Sequence, residues 1–142
     1  MTIQQIMTKK IVTVGFDDNL STVKEIFDHL KFHHLLVVDS DELFGIVSDR
    51  DLLKALSPRI GTVLETPDDE ATLNKKVHHI MSRKPLITLL PDATIIDAVD
   101  LFSKHNISCI PVVDNDYKPI GLVSWRDILR ALVNQLEELE GI

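Results

Sequence analysis

Two short segments combine residue types that could bind a sugar hydroxyl and an anion. They are residues 48–51, Ser-Asp-Arg-Asp, and residues 124–127, Ser-Trp-Arg-Asp. In each segment a carboxylate follows a serine by three positions and stands directly after an arginine. A carboxylate accepts hydroxyl donors well, and a guanidinium is suited to phosphate or carboxylate. The spacing therefore indicates a site for a small polar molecule that carries an anionic group.

The same segments have a structural interpretation, which stays open beside the binding one. A serine followed three residues later by an acid is a capping box, in which the two residues satisfy the free N–H groups at a helix start. Those N–H groups also attract anions. Arg50 and Arg126 would stand in the first helical turn, where the helix dipole disfavours a cation unless an anion shares the site. The two roles are compatible.

Both segments belong to an internal duplication. Placing Ile6 and Met7 on Ile80 and Met81 starts an alignment that carries the first half of the chain onto the second. The strongest block matches residues 45–52, Gly-Ile-Val-Ser-Asp-Arg-Asp-Leu, with residues 121–128, Gly-Leu-Val-Ser-Trp-Arg-Asp-Ile. The duplication predicts two units of one fold.

Hydrophobic periodicity predicts the same order of elements, β-α-β-β-α, in each copy. In the first copy these elements are a strand at 11–14, a helix at 20–30, strands at 35–38 and 43–47, and a helix at 49–56. The second copy repeats the order from residue 86 to residue 132. We therefore expect an α+β protein with a first repeat at 1–56, a linker at 57–74, and a second repeat at 75–142 that ends in a helical extension.

A unit of about fifty residues buries too little apolar surface to be more than marginally stable alone. We therefore expect the two repeats to pack through their sheets about a pseudo-twofold axis. The apolar stripe of the last helix continues to Leu136 and Leu139, and it would pack either on its own domain or on a second copy of the chain.

The matched motifs resemble the CBS domain. The resemblance rests on six segments, at 6–7, 35–39, 45–51, 80–81, 110–114 and 121–127. Similar proteins pair two such repeats into a Bateman module with two clefts between them. These modules commonly bind adenosine derivatives and regulate an attached enzyme, channel or transporter. Because no such effector domain is recognisable here, the resemblance implies a sensor that works alone, as a homodimer or on a separate effector protein.

The resemblance also implies a set of nucleotide-binding residues. Asp51 and Asp127 would accept from the ribose hydroxyls, with Ser48 and Ser124 beside the ribose and phosphate. The rest of the implied set is two threonines and four apolar residues against the base, namely Thr13, Thr88, Leu35, Leu36, Ile110 and Pro111. Arg50 and Arg126 join the predicted nucleotide-binding set because of their place in the first helical turn. The two clefts are not expected to be identical, because Leu36 aligns with Pro111 and Asp49 with Trp125.

The function that follows is ligand sensing without catalysis and without a required cofactor. AMP, ADP or ATP is the expected regulatory ligand, ahead of S-adenosylmethionine or NAD. The alternative from a different class is a structural or interaction module whose clefts are empty.

The histidines and the lone cysteine do not form a metal or nucleophile pattern. Neighbouring strand residues such as His33 and His34 point to opposite faces, so they make a poor chelating pair. The same holds for His78 and His79, which no metal motif accompanies. Cys109 precedes an apolar strand, which predicts a buried and inert thiol. Trp125 is expected to cover the edge of the core rather than stack on a ligand.

Composition narrows the class of protein. The 142 residues are 44% hydrophobic and 26% charged, which is typical of globular proteins. The net charge of −7 argues against nucleic-acid binding, which needs a basic surface. No apolar run is long enough to predict a membrane span. The N-terminal residues do not follow a signal-peptide pattern, so we expect a cytoplasmic protein.

Overall fold

Helices and strands alternate along the described residues, 1–83 and 86–141, of the computed structural model. The helices are α1 (Ile3–Ile6), α2 (Leu20–His29), α3 (Asp49–Ala55), α4 (Pro67–Ala71), α5 (Ile95–Lys104) and α6 (Trp125–Glu140). The strands are β1 (Thr13–Gly15), β2 (His34–Asp39), β3 (Glu42–Ser48), β4 (Ser82–Arg83), β5 (Cys109–Val113) and β6 (Pro119–Ser124). Two 3₁₀ turns, Thr72–Asn74 and Val77–His79, follow α4. The predicted α+β class is confirmed.

The chain divides into two compact units whose limits differ from the limits of the repeats. The first unit is Val12–Leu86, and the second unit is Met1–Ile11 together with Ile87–Ile142. Each unit therefore takes its main hairpin and helices from one repeat and a short segment from the start of the other. The duplication is a property of the sequence, whereas the folding units exchange their starting segments.

The sheet of the first unit has the strand order β1-β2-β3-β4. β1 runs parallel to β2, with Thr13 opposite Leu36. β2 and β3 form an antiparallel hairpin. β4, near the start of the second repeat, pairs antiparallel with β3 and places Ser82 opposite Ile46. The exchanged segment thus closes one edge of this sheet.

The second unit has the same arrangement in a reduced form. β5 and β6 form its antiparallel hairpin. Single bridges take the two flanking places, with Leu89 parallel to Val112 and Thr8 antiparallel to Leu122. Thr8 lies near the start of the first repeat, so the exchange is reciprocal.

Each unit has its own apolar core, to which the exchanged segment contributes. The buried core residues of the first unit are Val14, Leu20, Val23, Leu35, Val37, Val47, Leu52, Val77 and Met81. Those of the second unit are Ile3, Leu89, Ile95, Ala98, Phe102, Ile110, Val112, Val123, Ile128 and Ala131. Burial of Val77, Met81 and Ile3 stabilises the exchange, because each removes apolar surface from water.

A glycine in each hairpin admits the exchanged methionine. A Cβ on Gly45 would lie 2.7 Å from Sδ of Met81, and a Cβ on Gly121 would lie 2.6 Å from Sδ of Met7. Only glycine leaves room for a contact this close. Among the described helices, none has the length and apolar character needed to span a bilayer.

Candidate functional site

In the first unit the serine and aspartate of the predicted motif begin α3. The Ser48 hydroxyl oxygen accepts the backbone N–H of Asp51 at 3.0 Å, and Oδ2 of Asp51 accepts the backbone N–H of Ser48 at 2.9 Å. This is the capping box that the spacing predicts. The carboxylate is half-buried, and among the described residues the Ser48 N–H is its one hydrogen-bond donor.

In the second unit the matching carboxylate has more partners. Oδ2 of Asp127 accepts the backbone N–H of Ser124 at 2.9 Å and its hydroxyl at 3.1 Å. The hydroxyl of Thr8 donates to Oδ1 at 3.3 Å and to Oδ2 at 3.4 Å. Nη1 of Arg130 lies 3.7 Å from Oδ1. Asp127 is 6% exposed, and it is the one buried charged residue in the described part of the chain.

Each carboxylate lines a cavity within its own unit. The cavity in the first unit has a volume of about 280 Å³ and is lined by Asp51, Lys54, Ala55 and Ile80. The cavity in the second unit has a volume of about 230 Å³ and is lined by Gln5, Ile6, Asp127, Arg130, Ala131 and Asn134. The acid, the base, the alanine and the isoleucine occupy matching positions of the two repeats. In both cavities the isoleucine comes from the exchanged segment.

The cationic residues of the cavities differ from those expected from the sequence. Lys54 and Arg130 line the cavities, whereas Arg50 and Arg126 are exposed and line neither. A residue three positions after an aspartate shares its face of a helix, whereas the residue directly before it does not. The sequence carried this signal, because a basic residue follows the motif aspartate by three positions in both copies.

The CBS domain model matches residues 3–58 and 77–134. This chain belongs to the CBS domain family. It contains two CBS repeats, which confirms the family resemblance and the duplication.

Similar proteins include both short and longer chains. A CBS domain-containing protein of Dictyostelium discoideum is 32% identical, and the match covers 95% of this chain and 93% of that protein. A Methanocaldococcus jannaschii protein is 29% identical over 99% of this chain. The chain spans 48% of that relative, so it corresponds to about half the length of some curated relatives.

Two solved CBS pairs were crystallised with adenosine derivatives. The CBS-pair protein CBSX2 of Arabidopsis thaliana, in complex with AMP, has a TM-score of 0.76 and 25% identity, covering 94% of this chain and 96% of that one. The CBS domain pair of protein MJ0100, in complex with 5-methylthioadenosine and S-adenosylmethionine, has a TM-score of 0.72 and 28% identity, covering 93% and 99%.

The apolar residues and threonines that the CBS resemblance implies as binding residues do not line the two cavities. Three of the apolar side chains, Leu35, Leu36 and Ile110, have no exposed surface. Pro111 is also buried. Thr13 is exposed in β1. Thr88, which follows β4 and precedes α5, is half-buried. The structure thus brings the two aspartates to the cavities, whereas the two serines cap the helices and, like these six residues, lie outside the linings.

The histidines of the first CBS repeat lie next to its motif. Nδ1 of His33 is 3.0 Å from Oδ2 of Asp49. Burial is the largest single influence and raises the pKa of Asp49, but the hydrogen bonds from His33 and the Arg50 backbone, together with the charges of His33 and His34, outweigh it, so the pKa lies below its usual value. Burial lowers the pKa of His34, and the nearby charge of Asp49 only partly opposes this. In the described residues no cluster of three or more His, Cys, Asp or Glu side chains could hold a metal ion.

At the matching positions, the second CBS repeat has Cys109 and Trp125. Cys109 is half-buried, not fully buried as predicted, and desolvation raises the pKa of its thiol to about 12, which favours the protonated form at neutral pH. The ring of Trp125 stacks on Phe102 of the core, with 4.7 Å between centroids. Trp125 covers the core edge, as the sequence predicts.

Proposed function

We propose that this CBS pair is a regulatory sensor that binds an adenine nucleotide, with one site at the cavity beside Asp51 and one at the cavity beside Asp127. The supporting observation is that the cavities are matched in chemistry, since each combines an aspartate, a basic residue, an alanine and an isoleucine. A hydroxyl acceptor beside a cation fits a phosphorylated nucleoside, whose ribose and phosphate need these two groups. The AMP complex of a similar CBS pair supports the same ligand class.

Within each cavity the roles divide by chemistry. The carboxylates of Asp51 and Asp127 accept from the ribose hydroxyls, which is the interaction a carboxylate makes best with a diol. Lys54 and Arg130 bind the phosphate. Lys54 forms no ion pair with any described residue, so its ammonium group can turn toward a ligand. Arg130 offers a planar set of donors that suits phosphate oxygens.

The cavity volumes favour a mononucleotide. At about 280 and 230 Å³ both lie below the roughly 300–1,000 Å³ that is usual for small-molecule sites. NAD, with two nucleosides, exceeds such a space more than AMP does. S-adenosylmethionine is of intermediate size but carries a positive charge, which Lys54 and Arg130 would disfavour.

Binding rather than turnover is the proposed role. Desolvation raises the pKa of the one thiol of the chain, which disfavours the thiolate, the nucleophilic form, at neutral pH. The signal then passes through a ligand-dependent change in stability or assembly, to a second copy or to a separate effector protein.

Titration calorimetry tests the proposal. AMP, ADP, ATP, S-adenosylmethionine and NAD are titrated into the wild-type chain and into Asp51→Ala, Asp127→Ala, Lys54→Ala and Arg130→Ala. We expect AMP to bind, each aspartate variant to lose one site, and each cation variant to weaken phosphate-bearing ligands by about tenfold, the order of one charge-assisted hydrogen bond. Arg50→Ala and Arg126→Ala are the matched controls, since both arginines lie outside the cavity linings.

The outcomes separate the alternatives. Binding that is unchanged in both aspartate variants contradicts the site assignment. Tighter binding of S-adenosylmethionine than of AMP would make S-adenosylmethionine, and not an adenine nucleotide, the proposed ligand. If no adenine compound binds at millimolar concentration, the structural or interaction module becomes the better explanation of the fold.

We also propose that the chain is a homodimer that pairs through α6. Five apolar side chains, 39% to 84% exposed, recur along this helix at alternating four- and three-residue spacing, namely Trp125, Leu129, Leu132, Leu136 and Leu139. This is the spacing of a two-helix seam. The helix carries Arg126 and Arg130 near its start and three glutamates near its end. An antiparallel pair would therefore place the basic end of one copy beside the acidic end of the other.

Sedimentation tests this assembly. We expect a species of twice the 16.0 kDa chain mass, which Leu136→Glu converts to the monomer. Leu53→Glu is the matched control, because Leu53 is an exposed leucine on α3. A monomeric wild-type chain at working concentration contradicts the proposal.

A further inference from the structure

We infer that Thr8 lowers the nucleotide affinity of the second unit's cavity, because its hydroxyl occupies the carboxylate oxygens that a ribose would use. The inference rests on the proposed function and makes Thr8 a specificity-determining residue. It predicts that two cavities of matched composition fill in sequence, the Asp51 cavity first and the Asp127 cavity second.

The backbone holds Thr8 over Asp127. The N–H of Thr8 donates to the carbonyl of Leu122 at 2.8 Å, and the N–H of Leu122 donates to the carbonyl of Thr8 at 3.0 Å. This reciprocal pair fixes the residue against β6, directly before α6. A β-branched side chain has few rotamers, so the hydroxyl stays near both oxygens of Asp127, at 3.3 and 3.4 Å.

The first unit has a serine in the same place. Ser82 pairs with Ile46 of β3 as Thr8 pairs with Leu122 of β6. The Ser82 side chain is exposed, and among the described residues no hydrogen bond joins it to Asp51. Serine lacks the methyl group that restricts the threonine rotamer, so its hydroxyl can turn to water. Asp51 therefore keeps acceptor capacity that Asp127 gives to Thr8.

The consequence for a ligand follows from hydrogen-bond exchange. A ribose diol that reaches Asp51 replaces water. A diol that reaches Asp127 must compete with the hydroxyls of Thr8 and Ser124, which already donate to its oxygens. Each displaced bond to a charged group subtracts from the gain on binding. The second cavity is therefore the weaker site for the same nucleotide.

The test isolates one cavity at a time. Asp51→Asn leaves the Asp127 cavity as the remaining site, and Thr8→Val is added in that background, since valine keeps the shape of threonine without the hydroxyl. We expect AMP, titrated calorimetrically, to bind about five- to tenfold more tightly after this change, the order of one weak bond to a carboxylate. In the reciprocal background, Asp127→Asn, Ser82→Thr is expected to weaken AMP binding several-fold. Thr22→Val, on an exposed face of α2, is the matched control.

A second readout needs no ligand. Thr8→Val should lower the Tm of the free protein, because Asp127 loses a hydrogen-bond donor, whereas Ser82→Ala should leave the Tm unchanged. AMP binding that is equal or weaker after Thr8→Val, or an unchanged Tm, overturns the inference while the proposed function stands. Absence of AMP binding to the wild-type chain overturns the proposed function, and the inference falls with it.

Discussion

The two units share an order of strands and helices but differ in the surroundings of one carboxylate, Asp51 in the first unit and Asp127 in the second. In both, a capping box begins the helix after the hairpin, and an isoleucine from the exchanged segment closes the cavity. Asp51 remains half-buried with one donor, whereas Asp127 is 6% exposed and contacts Ser124, Thr8 and Arg130. Duplication thus preserves the position of a functional group more closely than its hydrogen bonds.

The two exchanged segments also share one contact and differ in another. Met81 and Met7 fill equivalent places over Gly45 and Gly121, yet one exchanged segment forms strand β4 and the other makes a single bridge. The contact with glycine is therefore the common requirement, and the extent of strand pairing is free to vary.

The largest effect is expected from Gly45→Ala and Gly121→Ala. The new methyl group would meet a methionine sulfur and a carbonyl oxygen, at 2.7 Å for Ser82 beside Gly45 and at 3.0 Å for Thr8 beside Gly121. Because a backbone oxygen yields less than a side chain, each change should lower the free energy of unfolding by about 2–3 kcal/mol, with Gly45→Ala the larger. Urea unfolding measures both.

Gly15→Ala is the control for this pair, because a Cβ there meets only ordinary contacts at 3.7 Å or more. If all three variants have the same free energy of unfolding, the close contact between each exchanged methionine and its glycine does not stabilise the protein.

Next in size is the contrast between Asp127→Ala and Asp51→Ala in the absence of ligand. Asp51→Ala removes half of a capping box, which costs about 1 kcal/mol. Asp127→Ala removes the same box and also leaves Thr8 and Arg130 without their acceptor, so we expect about 2 kcal/mol. Equal losses in urea unfolding at neutral pH would show that the extra contacts of Asp127 contribute nothing.

The order of elements and the capping boxes were predictable from the sequence because both are local. Apolar spacing within ten residues determines the helix α2, and a serine three positions before an aspartate determines the start of α3. The cations predicted from the sequence, Arg50 and Arg126, stand one turn before Lys54 and Arg130, which line the cavities. Helical geometry relative to the aspartate also indicates Lys54 and Arg130.

Non-local features were beyond a single sequence. The residues around Met7 in the sequence do not indicate that it packs on Gly121, more than a hundred residues away. The repeat pattern instead suggests that the first residues of each copy pack on the same copy. The burial of Leu35 and Ile110 in the unit cores was likewise not separable from a role against a base, since both roles need an apolar strand residue.

A smaller, pH-dependent effect is expected to be confined to the first unit. Burial holds the pKa of His34 below 6.5, its usual value, so at pH values below 6.5 the unfolded chain binds a proton that the folded chain resists. Stability contributed by neutral His34 is therefore present above pH 6.5 and is lost as the pH falls toward the folded pKa. Urea unfolding at pH 7.5 and pH 5.5, both about one unit from that value, measures the loss.

The matched variant for this prediction is His34→Cys, which installs the residue of the second repeat. Its thiol does not titrate in this range, so the decline between the two pH values should become shallower. His105→Ala, at an exposed position, is the control. An unchanged decline in His34→Cys would place the pH dependence elsewhere in the chain.

The smallest effect concerns the hairpin turns of the two units. Ser40 and Asp41 have φ values of 50° and 67°, as a two-residue hairpin turn requires, and glycine adopts this conformation without strain. Because aspartate tolerates it better than most residues, Asp41→Gly should raise the free energy of unfolding by only about 0.5 kcal/mol. Tyr117, with φ 62°, is the matching position of the second hairpin, but its ring is half-buried, so Tyr117→Gly should lose more in packing than it gains in the backbone. Thermal unfolding of the two variants compares them, and stabilisation by both would show that turn strain outweighs side-chain packing at the tips of these sheets.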